Sequence, residues 1–132
     1  MENAKILIID DDPDLTHALS TTLESEQFAV VTAADRTEGM EKVETEKPDL
    51  VILDVMMSTW QDGFEMAREL RKDPQWSDMP ILMLTGVKDK TGIDFKSSAG
   101  DPVWLPVDGF LDKPVEPEQL IEKVKTLLAK KS

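Results

Sequence analysis

The chain contains no cysteine, which excludes disulfides, thiolate metal sites and thiol chemistry of any kind. It contains no tyrosine, and aromatic residues make up only 5% of it. Positive charge is scarce. Fifteen lysines and arginines stand against 27 aspartates and glutamates, a net charge of −12. Such a surface repels nucleic acid and argues against direct DNA or RNA binding. No apolar run approaches the length of a membrane span, and the opening "MENAKILIID" lacks the charged, apolar, small-residue order of a signal peptide. Internal repeats, low-complexity tails and interdomain linkers are also missing. At 132 residues the chain is long enough to bury a core without staples. The expectation is a single acidic domain over 1–132, cytoplasmic, with no output domain after Lys131-Ser132.

Residues 6–15, "ILIIDDDPDL", set four apolar residues against three consecutive aspartates, Asp10, Asp11 and Asp12. Such a junction is either an ordinary strand running out into a solvated loop or a set of carboxylates gathered around something positive. Apolar runs recur at "FAVVTA" (28–33), "LVIL" (50–53), "ILML" (81–84) and "GFL" (109–111). The first, third and fourth runs of the chain are continuously apolar, as in strands buried on both faces. Helix-period segments lie between them. Leu15, Ala18, Leu19 and Leu23 share one face, with Pro13 in the first turn. Met40 and Val43 mark a second helix behind Asp35 as N-cap. Phe64, Ala67 and Leu70 mark a third that ends before "KDPQW", and Leu120, Val124, Leu127 and Leu128 a last one, opened by Pro117 and closed by Lys130-Lys131. The alternation predicts an α/β fold with a parallel sheet covered by helices on both faces. Residues 86–108 read as irregular, with a helix possible around Asp94–Ala99.

In such a sheet, ligands bind beyond the carboxyl ends of the strands. The residues that follow the apolar runs are Asp10, Asp11 and Asp12, then Asp54, then Thr85 and Gly86, then Lys113 with Pro114. A parallel sheet brings all of them to one edge. Clustered carboxylates repel one another unless a cation joins them, and a hard divalent ion suits oxygen ligands. Few protein ligands, and no Asp-x-Asp-x-Asp-Gly loop, favour Mg²⁺ over a dedicated Ca²⁺ cage. One carboxylate is then free to attack phosphorus, while the cation, Lys113 and Thr85 each take a phosphoryl oxygen. Singly, Asp54 also reads as a strand-end cap, Lys113 as a surface lysine and Thr85 as structural.

Five segments in order, "ILIIDDDPDL", "PDLVILDVMM", "DGFEMARELR", "PILMLTG" and "GFLDKPVEPEQL", resemble the receiver domain of two-component response regulators, the CheY-like family. The resemblance spans nearly the whole chain. It implies a doubly wound, five-stranded, flavodoxin-like three-layer sandwich with strand order 2-1-3-4-5. It further implies Asp54 as phosphoacceptor and Asp10 and Asp11, with Asp54 and the main-chain carbonyl of Met56, as ligands of Mg²⁺; Asp12 takes a less constrained place. Thr85, Gly86 and Lys113 would contact the phosphoryl group, Thr85 and Phe110 would form the switch, and the Lys113–Pro114 bond would be cis. The implied partners are a histidine kinase or phosphotransfer protein and a downstream protein, with a monomer or a phosphorylation-linked dimer. Such a domain assists its own phosphorylation and hydrolysis and is not an enzyme with an independent substrate.

Three departures stand out. Ser58 takes the place of a usual proline, Asp62-Gly63 falls one residue late so that Trp60 sits in a remodelled loop, and 86–108 is longer than typical. Phe110 has no hydroxyl for a switch hydrogen bond. Two other functions stay open, a phosphorylation-independent interaction module and a small Mg²⁺-dependent phosphohydrolase with Asp12 as a second acid–base group. His17 reads as a surface residue on the polar side of the first helix. The methionines at 56, 57, 66, 79 and 83 read as packing residues, and Trp104 as a plug or a partner contact.

Overall fold

The computed structural model describes residues 4–54, 60–85, 108–112 and 115–131, with side chains except at 60–64, 85, 110, 112, 130 and 131. The elements alternate as the apolar pattern predicts: β1 (Lys5–Ile9), α1 (Pro13–Glu24), β2 (Ala29–Ala33), α2 (Arg36–Glu46), β3 (Leu50–Asp54), α3 (Trp60–Lys72), β4 (Ile81–Thr85), β5 (Gly109–Asp112) and α4 (Pro117–Lys131). All strand pairings are parallel, and the five strands lie in the order β2-β1-β3-β4-β5.

Successive strand residues point to opposite faces, and each face has its own core. Leu7, Ile9, Val51, Leu53, Ile81 and Met83 pack with Val43 of α2 and with Met66, Ala67 and Leu70 of α3. Ile6, Ile8, Leu50, Ile52, Leu82 and Leu84 pack with Leu19 and Leu23 of α1 and with Leu120, Val124, Leu127 and Leu128 of α4. Burying each such aliphatic side chain contributes about 1.5–3 kcal/mol. The two inner strands β1 and β3 are therefore apolar without alternation, whereas the edge strand β2 is only partly buried.

Local signals set the helix ends. Asp12 caps α1, its side chain accepting from the N–H groups of Asp14 and Leu15, and Pro13 follows at the first helical position. Asp35 caps α2 by accepting from Glu38 N–H at 2.8 Å. Lys47 closes α2 in the left-handed region at φ 48°. Between α3 and β4 the chain turns back so that Trp76 and Met79 join the core beneath α3. The Arg71 guanidinium holds that turn, donating to the carbonyls of Met79 at 2.6 Å and Ser77 at 3.1 Å and pairing with the Asp108 carboxylate. Asp108 also accepts from Ile81 N–H at 2.8 Å, which ties the starts of β4 and β5 together.

The observed elements differ from expectation in three places. Ala18 is exposed, because α1 presents Leu19 and Leu23, not Ala18, to the sheet. Trp60 and Asp62-Gly63 belong to the first turns of α3, not to a loop. An interior glycine costs a helix only about 1 kcal/mol, which the buried face Met66, Ala67 and Leu70 outweighs. Phe28 precedes β2 and does not open it. Met66, Met79 and Met83 are core residues as expected. Met56, Met57, Trp104 and the Asp94–Ala99 segment lie outside the described residues.

Candidate phosphoacceptor and cation site

The register places the acidic residues. Ile9 of β1 pairs with Leu53 of β3, so the next step along both strands brings Asp10 beside Asp54 at the carboxyl edge of the sheet. Both strands have neighbours on either side, and their last residues cannot move without breaking ladder bonds. Asp10 and Asp54 are accordingly buried, at 3% and 2% exposure, while Asp11 is exposed. Carboxylate oxygens of Asp10, Asp11 and Asp54 lie within 4.8 Å of one another. Asp10 is held from two directions. Its N–H donates to the Ala33 carbonyl at 3.0 Å, and its Oδ1 accepts from Asp12 N–H at 2.9 Å.

Three carboxylates this close, two of them desolvated, form a strongly negative cradle of oxygen donors that a divalent cation fits. Asp12 is not part of it. Its side chain is turned to the α1 N-terminus, where Oδ1 accepts from the N–H groups of Asp14 and Leu15. Thr85 ends β4, opposite Asp112 of β5 and one residue beyond the Asp54–Leu84 pair, so its backbone reaches the same edge. Phe110 lies in β5, paired with Met83. The side chains of Thr85 and Phe110, and all of Met56, Gly86, Lys113 and Pro114, lie outside the described residues.

A cleft of about 540 Å³ opens beside Asp10 and Asp11, lined also by Thr16, His17, Ser20, Thr32 and Glu38. His17 is exposed, as its place on the polar side of α1 implies, and it faces this cleft. The cleft has no sequence signature, since α1, β2 and α2 supply its wall through packing.

The sequence profile of the response regulator receiver domain matches residues 6–125. The chain belongs to the response regulator receiver family. Its similarity to the alkaline phosphatase synthesis transcriptional regulatory protein PhoP of Bacillus subtilis is 40% identity over 126 residues, covering 96% of this chain and 49% of that protein. With Protein PilH of Pseudomonas aeruginosa the identity is 33%, covering 96% of this chain and 98% of that one. Among solved structures, chemotaxis protein CheY4 of Vibrio cholerae superposes with a TM-score of 0.81 at 34% identity, over 95% of this receiver and 98% of that chain. A CheY-like receiver domain protein of Methanospirillum hungatei gives a TM-score of 0.83 at 28% identity, covering 98% and 97%. This receiver spans about half the length of several curated relatives it matches, PhoP among them. Receivers are signalling domains of two-component systems rather than classical enzymes, and they bind Mg²⁺ through acidic residues of the kind gathered at this edge. No helix among the described residues is long and apolar enough to cross a membrane.

Proposed function

We propose that this receiver accepts a phosphoryl group on Asp54 from a phosphohistidine of a kinase or phosphotransfer protein, and that the acyl phosphate switches a protein-contact surface. The observation that carries the reading is the joint placement of Asp10, Asp11 and Asp54 within 4.8 Å at the ends of two adjacent inner strands. Asp10 and Asp11, with Asp54 and the Met56 carbonyl, would hold Mg²⁺. The bound cation would neutralise charge that develops on the phosphoryl oxygens. The buried Asp54 carboxylate attacks phosphorus, forming the O–P bond as the N–P bond to the donor imidazole breaks. The departing nitrogen keeps the electron pair, and with a proton already on its other ring nitrogen the donor leaves as neutral imidazole. Positioning and charge neutralisation are most of what such a transfer requires. Thr85, Gly86 and Lys113 would receive the phosphoryl oxygens, Lys113 ahead of a cis bond to Pro114. Thr85 and Phe110 would relay the state to the surface, and hydrolysis would reset it.

The whole of 1–132 reads as one receiver, acting in the cytoplasm through a downstream protein and not through nucleic acid, as a monomer or a phosphorylation-linked dimer. The test is an intact-mass spectrum after incubation with acetyl phosphate and Mg²⁺, beside Asp54→Asn and a chelated control. One added phosphoryl group in the wild type, absent from both controls, is the expected result. A wild type that neither gains mass from acetyl phosphate or a kinase nor binds Mg²⁺ would overturn the reading and leave a domain that works by contact alone.

A further inference from the structure

Glycine is a poor helix former, so Gly39 at the end of the first turn of α2 calls for a reason. The reason lies in the space around it. A Cβ at this position would lie 2.8 Å from Ile9 Cδ1, 3.1 Å from Met66 Cε and 3.2 Å from Ile9 Cγ1. Ile9 and Met66 are fully buried, and the methyl end of methionine is the one that yields easily. Ile9 yields less readily. Its backbone is paired with Ala33 on one side and Leu53 on the other, and the residue after it is Asp10. The absence of a side chain at Gly39 therefore lets α2 close on the carboxyl end of β1, one residue before the acidic cluster. The first turn of the same helix contributes Glu38 to the cleft beside Asp10 and Asp11. A Cβ would press on the Ile9 side chain, which is fully buried and has little room to turn aside.

We infer that Gly39 is a positioning residue of the cation site, setting the place of Asp10 through Ile9. The inference rests on the reading of the acidic cluster as a Mg²⁺ site and extends it to a residue with no polar side chain. It also separates two effects that usually move together. On helix propensity alone Gly39→Ala strengthens α2, yet it should weaken the site.

The experiment is calorimetric titration of the full chain with Mg²⁺, paired with urea unfolding, for wild type, Gly39→Ala, Ile9→Val and the double variant Gly39→Ala with Ile9→Val. Valine lacks the Cδ1 atom that makes the shortest contact. The Kd of Gly39→Ala should rise on the order of ten-fold, the usual consequence of disturbing groups that orient metal ligands. The double variant should return close to wild type, whatever the urea midpoints show. Leu127→Ala, a cavity on the opposite face of the sheet, should lose stability with its Kd unmoved. A wild-type Kd in Gly39→Ala, a double variant as weak as the single one, or a Leu127→Ala Kd that rises as stability falls would each overturn the inference. Absence of Mg²⁺ binding by the wild type would overturn the cation reading itself, which distinguishes the two failures.

Discussion

At Asp12 one residue serves two neighbours with different atoms. Its carboxylate caps α1, and its N–H orients the Asp10 carboxylate. Removing the side chain leaves the second contact intact, so Asp12→Ala should cost about 1 kcal/mol of stability, as a lost N-cap does. Mg²⁺ affinity should stay close to wild type, a separation that urea unfolding and metal titration together would check. The run of three aspartates hid this division. All three are equally acidic in sequence, and only the Asp-Pro step that opens a helix distinguishes Asp12 from its neighbours. Asp10 and Asp54 were legible because each follows directly on an apolar run, with Asp11 one step further, and parallel strands deliver such residues to one edge. Gly39 was not legible, because its role depends on a contact with Ile9, 30 positions away in the chain.

Among the elements, the turn from α3 to β4 depends most on a single side chain. Arg71 donates to carbonyls of that turn and pairs with Asp108, at the end of the sheet opposite the acidic cluster. Its side chain is 18% exposed and that of Asp108 41%, so water screens the ion pair, and the part-buried bond to the Met79 carbonyl is the better protected contact. Arg71→Met keeps the apolar stem and removes the donors, and it should cost about 2 kcal/mol in urea unfolding. Phosphorylation by acetyl phosphate should continue, since the opposite edge is untouched. The elements themselves were readable wherever hydrophobic period and caps agreed, as in α1, α2 and α4. The start of α3 was not, because the late Asp62-Gly63 pair reads as a remodelled loop around Trp60, whereas the helix already begins there and buries Met66, Ala67 and Leu70. Trp76 escaped for a related reason, since "KDPQW" carries turn residues and its burial depends on the chain folding back under α3.

Across the whole molecule the net charge of −12 is concentrated in one respect: two of the acidic residues are buried side by side. A cation that binds only the folded chain stabilises it by mass action. At free Mg²⁺ 100 times its Kd the gain is about 2.7 kcal/mol. Thermal unfolding with and without chelator should show that gain in the wild type and lose most of it in Asp11→Asn, whose folded core is unaltered.

The order of the strands also distributes rigidity. The acidic residues continue from β1 and β3, each flanked by neighbours on both sides, while Phe110 lies on the marginal strand β5, which has a partner on one side only. Fraying begins at margins, where fewest backbone bonds must break. A passing fluctuation that loosens β5 therefore leaves the carboxylates assembled. On the proposed function, the step that captures a phosphoryl group would rest on inner strands, and the step that reports the capture on a strand at the margin, where fewer backbone bonds resist opening.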